Sequence, residues 1–125
     1  MPMPKPDERT KELFRTVLPR DPRVQARPMF GNLAGFVNGN MFSGLFGNEV
    51  FVRLPDDGRA ALLREPGAHL LEPMAGRPMR EYVVLPAAWQ AQPERLRQWV
   101  ERALTWTATL PGKAPKAAKA RRQKG

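Results

Sequence analysis

Apolar residues follow two different periods along this chain. Between Asp7 and Pro19, Leu13, Phe14 and Val17 share one helical stripe. Asp7 is placed to cap that helix through its carboxylate, Glu8 sits in the favourable first turn, and Pro19 stops it. From Val24 to Leu54 the texture changes to short β-rich runs separated by Gly and Asn, which predicts antiparallel hairpins. The strands are read as Val24–Met29, Ala34–Val37, Met41–Phe46 and Val50–Leu54. In the fourth, Val50, Val52 and Leu54 are expected on one face, with Phe51 and Arg53 on the other.

Turn chemistry sets the connections. Asn38-Gly39 is the strongest local signal, because a type I′ turn needs positive φ at both central residues, and Gly47-Asn48 predicts a second turn. Pro55-Asp56-Asp57 opens a second helix to about Glu65, ended by Pro66-Gly67 and anchored by Leu62 and Leu63. His69–Met74 and Arg80–Leu85 read as two further strands joined across Ala75-Gly76-Arg77-Pro78. Pro93 opens the last helix, expected to run to about Leu110. Leu96, Trp99, Val100, Ala103, Leu104, Trp106 and Leu110 fall on one arc of that helix, and Arg95, Arg97, Gln98, Glu101, Arg102 and Thr105 on the opposite one. The expected fold class is α+β, a two-layer antiparallel sheet with helices on one face, in the order α-β-β-β-β-α-β-β-α.

Composition narrows this further. A chain of 125 residues with 42% apolar content closes one core. Without cysteine it can form neither a disulfide nor a thiolate zinc site. The segment MPMPKPDERT lacks the apolar core of a signal peptide, and no apolar run reaches the ~18–20 residues of a membrane span, so a cytoplasmic protein with no membrane partner is expected. The net charge of +9 is unevenly placed. Lys113, Lys116, Lys119, Arg121, Arg122 and Lys124 are six of the 21 basic residues and have no acid among them, which leaves residues 1–112 with 15 basic against 12 acidic groups, a net of +3. The chain therefore divides into a mildly basic domain, 1–112, and a basic tail, 113–125, expected to be disordered.

Several segments, in order, resemble the amino-terminal domain of the TfoX/Sxy family. They are Arg27-Pro28-Met29-Phe30-Gly31, Gly35-Phe36-Val37-Asn38-Gly39-Asn40-Met41-Phe42 and Val50-Phe51-Val52-Arg53-Leu54. Gly76-Arg77-Pro78-Met79-Arg80-Glu81-Tyr82 with Val84-Leu85-Pro86 follows, then Pro93 through Leu104, so the resemblance covers roughly residues 10–110. It implies a two-layer fold like that of secretion chaperones and a regulatory setting, since full-length members control natural competence in bacteria. Those regulators carry a helical carboxy-terminal domain where this sequence has a short basic tail, and the resemblance supplies no catalytic residues. It singles out Met29, Phe30, Gly31, Gly39, Met41, Phe42, Pro78, Met79 and Tyr82 as a candidate interaction surface.

The residues offer little catalytic chemistry. His69 is the only histidine; on a strand, His69 and Glu72 point to opposite faces, so His69-Leu70-Leu71-Glu72 is read as surface and not as a metal site. Ser43, the only serine, lies in an apolar strand with no local base or orienting acid. Asp56-Asp57 is explained by helix capping. The run GNLAGFVNGN contains no phosphate-loop spacing, and Gly31, Gly35 and Gly39 are assigned to turns, bulges or close backbone approach. Met29, Met41, Met74 and Met79 with Phe30, Phe42, Phe46 and Phe51 either fill the core or line a hydrophobic groove for a partner.

The expectation is thus a non-enzymatic binding or regulatory module, without cofactor or metal, acting through a protein partner or as a homodimer. The alternative is a nucleic-acid-associated protein whose tail makes non-specific phosphate contacts, with Arg77, Arg80 and the Arg20, Arg23, Arg27 series extending the basic surface. No aromatic residue interleaves with the tail cations, so base stacking by the tail is not expected.

Overall fold

The computed structural model describes residues 4–29, 31–74 and 76–112. Its first helix, α1 (Glu8–Val17), starts as its sequence dictates. The Asp7 carboxylate accepts from the Thr10 backbone N–H at 2.8 Å, and the chain leaves helical geometry at Leu18, just before Pro19. Six strands follow: β1 (Val24–Met29), β2 (Asn32–Val37), β3 (Asn40–Phe46), β4 (Glu49–Arg53), β5 (His69–Met74) and β6 (Arg77–Val84). Between β4 and β5 lies α2 (Asp56–Leu63). After β6 come a 3₁₀ turn (Ala87–Ala91) and α3 (Pro93–Thr107). All strand pairings are antiparallel, and the sheet order is β1-β2-β3-β4-β6-β5. The α+β class and the element order match the sequence reading.

The two faces of the sheet are unlike. Phe14 and Val17 from α1, Leu62 from α2, and Leu96, Val100, Ala103 and Leu104 from α3 pack with Val37, Phe42, Leu45, Val50, Val52, Leu54 and Val83 into one core. All three helices therefore cover the same face. The other face carries a smaller cluster drawn from strands alone: Phe51, Leu71 and Val84, with Met41, Phe46 and Tyr82 against it. The alternation expected for β4 is what separates Val50, Val52 and Leu54 from Phe51.

The Asn38-Gly39 turn has the paired positive φ values, 53° and 79°, that a type I′ connection requires. Just beyond it, the β2–β3 register steps from Gly35↔Ser43 to Phe36↔Met41, leaving Phe42 without a partner of its own. This bulge sends both Phe42 and Ser43 to the helix side, where strict alternation would have split them. Phe42 is accordingly core and not a groove residue.

Other differences from the sequence reading have local causes. Leu62 is fully buried, but Leu63 is 39% exposed, because consecutive helical residues diverge by about 100° and α2 has one turn against the core. The residue capping α2 is Pro55; Asp56 instead pairs with Arg59, and Asp57 accepts from the Gly58 N–H inside the first turn at 2.8 Å. The strand predicted from Arg80 starts at Arg77, since the hairpin turn is tighter than expected. The last helix ends at Thr107, and Leu110 lies beyond it. Trp89, in a 3₁₀ turn between two prolines, is a core residue with no periodic signature.

The segment before α1 is also held. Asn32, buried at the start of β2, donates from Nδ2 to the Pro4 carbonyl and accepts from the Gly47 N–H, each at 2.9 Å. Asn48 Oδ1 accepts from the Asp7 N–H at 3.0 Å. Among the described residues no helix is long and apolar enough to cross a membrane.

A candidate docking face on the helix-free side of the sheet

The helix-free face is built by register. Phe51 lies opposite Gly44 on one side and Val84 on the other, and paired residues share a face. Tyr82 lies opposite Arg53, Met41 opposite Phe36, and Met79 opposite Leu71. The Tyr82 ring stands edge-on to Phe51, with centroids 5.5 Å apart and planes at 89°. Its hydroxyl donates to the Met41 carbonyl at 3.3 Å, and burial raises its pKa. The ring is thereby fixed at both ends.

At the rim, Arg53 joins Glu81 through Nε and Nη2 at 3.0 and 2.7 Å. The Arg53 guanidinium also lies 5.9 Å from the Tyr82 ring and 5.7 Å from that of Trp106 on α3. This pair balances its own charge, while Arg77, opposite Met74, and Arg80 stand exposed on β6 beside Met79. Met79, 39% exposed, and Met74, 62% exposed, extend the apolar face along the β5–β6 hairpin.

The edges of the sheet are blunted. Pro28 stands in edge strand β1 and Pro73 in edge strand β5, and a residue without an N–H cannot continue a ladder. A partner that approaches this sheet therefore meets a usable face and two poor edges.

The residues singled out from the sequence separate accordingly. Met41 and Tyr82 pack against the cluster on the helix-free face, and Met79 lies on β6 opposite its Leu71. Phe42 belongs to the opposite core, Gly31 and Gly39 occupy turns with φ of 81° and 79°, and Met29 is half-buried at the end of β1. Pro78 is exposed in β6 beside Met79. Phe30 and the tail cations Lys113, Lys116, Lys119, Arg121, Arg122 and Lys124 lie outside the described residues. Phe46 and Phe51, offered from the sequence as core or groove residues, lie in the cluster of the helix-free face; missed were Leu71 and Val84 beside Phe51 in the floor, and the Arg53–Glu81 rim.

Ser43, His69 and Glu72 each have a structural partner. Ser43 is fully buried and donates from Oγ to the Phe51 carbonyl at 2.7 Å. His69 Nε2 lies 3.4 Å from Glu49, and the Glu72 carboxylate accepts from the Gly76 N–H at 2.7 Å. Among the described residues no three His, Asp or Glu side chains gather where they could hold a metal. A second concavity of about 1050 Å³ lies between α2 and α3, beside Trp99 and Trp106. Arg102 sits 4.6 Å over the Trp99 ring, and the acids there, Asp57 and Glu101, are exposed at the margin. Among the described residues that line it, the polar side chains are all exposed or half-buried.

Comparison with curated proteins and with solved structures returned no match. Comparison with protein-family models returned TfoX N-terminal domain, matched over residues 13–106. The matched stretch runs from α1 into the last turns of α3 and takes in every strand of the sheet. The segments that resembled the TfoX/Sxy family are thus the strands, turns and closing helix of one continuous fold, and the chain belongs to the TfoX N-terminal domain family.

Proposed function

We propose that the chain is a non-enzymatic binding and regulatory module of the TfoX type that acts through protein–protein contacts. The observation that carries this reading is the second apolar cluster on the helix-free face, with exposed Met79 and Met74 beside it. Methionine-rich apolar surface adapts to a partner's shape, and a contiguous apolar patch marks an interaction site. The partner this face fits first is a second copy of the chain. Its rim pair Arg53–Glu81 balances its own charge, and an apolar face of this kind can meet its copy about a twofold axis. Competence regulation is the setting that family membership suggests for such a module.

A photo-crosslinking side chain placed at position 79 of the full chain tests this, with the same group at Arg59 on α2 as the control. The reading predicts adducts from position 79 that map to residues of β4, β5 or β6 of another copy, and few from position 59. Equal yields from both positions, or none from position 79, would contradict it.

A further inference from the structure

The helix layer has a gap. α3 packs beside α1 and lies over β3 and β4, whereas α2 stands over β6. The two sides of the gap are tied at both ends. Arg95 of α3 pairs with Glu65, just past α2, at 3.4 Å. The Arg53 guanidinium, just before α2, lies 5.7 Å from the Trp106 ring of α3. The helices therefore run antiparallel, and between the ties they leave the concavity of about 1050 Å³, with buried Leu54 at its base. It stays open because α2 turns Gly58 and Ala61 toward it, and neither has a side chain that could fill it.

The α3 wall carries the recognition chemistry. Trp99 and Trp106, both placed on the buried arc by helical periodicity, are only half-buried and stand two turns, about 10 Å, apart along the axis. Arg102 lies 4.6 Å over the Trp99 ring, so each indole is held by a guanidinium. Two exposed carboxylates stand at the margins, Glu101 on α3 and Asp57 on α2. Among the described residues no cation lies within 4.0 Å of either, in a domain where cations outnumber acids.

We propose that this groove is the docking site for a basic amphipathic helix of a partner protein. The lining stretch of α3 from Gln98 to Trp106 is about 12 Å long, a little over two helical turns. A helix laid along it brings residues spaced i, i+3 or i+4, and i+7 onto Trp99, Ala61 and Trp106, the pattern by which an apolar helix face fills a groove. Its flanks then lie beside Asp57 and Glu101, which pair with lysine or arginine there and repel acids. Tryptophans already held in place are strong anchors, because little freedom is lost when they are covered. The groove and the helix-free face lie on opposite sides of the sheet, so one chain can hold a copy of itself and the partner helix at once.

The test titrates the full chain with two tryptophan-free helical peptides of about 18 residues, long enough to hold a helix. Both carry the same leucine stripe; one has lysine and the other glutamate on its polar face. Acrylamide quenching of the tryptophan emission is followed. The lysine peptide is expected to shield Trp99 and Trp106 and to bind more tightly than the glutamate peptide, although the net charge of +9 favours the glutamate peptide everywhere else. Ala61→Arg and Thr105→Arg each place a bulky cation in the groove from an exposed position, one on either wall. Each should weaken the lysine peptide at least about tenfold. Glu101→Lys should weaken it about fivefold, while Glu12→Lys, the same charge change on exposed α1, leaves it within error of the wild type. Circular dichroism melting confirms that each variant is folded, and two arginine variants on different helices keep the test open if one is not. The inference is overturned if the lysine peptide leaves the quenching unchanged, or if the glutamate peptide binds as tightly. Undiminished binding to the folded arginine variants overturns it too, since the peptide then sits on another surface. So do equal effects of Glu101→Lys and Glu12→Lys, because charge then acts from a distance and not at the groove.

Discussion

The Phe51 ring lies directly over Gly44 on the neighbouring strand: a Cβ on Gly44 would stand 2.6 Å from the Phe51 Cζ. The absence of a side chain at one position lets the aromatic ring of its cross-strand partner lie down on the sheet, where it forms the floor of the helix-free face. Phe51 is 3% exposed although no helix covers it, and Tyr82 and Val84 pack beside it. Gly44→Ala is therefore expected to displace the ring and destabilise the protein by about 1–3 kcal/mol, the usual cost of overpacking. Chemical denaturation measures the loss. The near-ultraviolet dichroism of the Phe51–Tyr82 pair should change with it.

Adjacent leucines in α2 provide a sharper contrast. Leu62 is fully buried in the helix-side core and Leu63 faces solvent. Leu62→Ala should cost about 2–5 kcal/mol through reduced burial and a residual cavity. Leu63→Ala should stay within about 0.5 kcal/mol of the wild type. Urea titration of the two variants distinguishes them, and similar losses would mean that α2 is rotated from the orientation described.

Thr107 is fully buried at the end of α3, and its hydroxyl has no hydrogen-bond partner among the described residues. Valine has nearly the same shape without the polar group. Thr107→Val is expected to raise stability by about 1 kcal/mol, the penalty that a buried unsatisfied hydroxyl carries. A lower melting temperature would show that the hydroxyl is bonded in solution.

Two carboxylates with depressed pKa contribute to the acid limb of the stability profile. Asp7 is held below its usual pKa by the Thr10 backbone N–H it caps, and Asp21 is lowered to about 2 by its hydrogen bonds to Arg23. A depressed folded-state pKa contributes stability that is complete above the unfolded value, near 3.8, and is lost as pH falls toward 2. The melting temperature should thus drop between about pH 4 and 2, and less steeply in Asp7→Asn, which keeps a capping oxygen without the titration. An unchanged acid limb in that variant would remove Asp7 from the account.

Much of the architecture was legible in the sequence because local chemistry and global fold agree. The Asp7 cap, the Asn38-Gly39 turn, the β4 alternation and the α3 stripe each rest on a rule that operates within a few residues. What escaped depends on residues far apart in sequence. The bulge at Phe42 is a property of the β2–β3 register. Trp89 is buried through its neighbours and not through a period. Asn32, Asn38, Asn40 and Asn48 read as turn formers, yet their side chains tie down both ends of the domain. The candidate surface was half legible. Met41, Met79 and Tyr82 stood out in the family segments, but the floor beneath them is assembled from three strands and becomes visible only once β4, β5 and β6 are paired.

The most direct test of the central claim is sedimentation equilibrium of the wild-type chain and of Met79→Glu over a wide concentration range. Met79 is exposed, so the substitution leaves the fold intact while placing a charge on the face proposed to meet its copy. The account predicts a wild type that shifts from monomer to dimer as concentration rises, and a variant with the same melting temperature that remains monomeric. A wild type that stays monomeric throughout, or a Met79→Glu dimer as tight as the wild type, would contradict docking through the helix-free face.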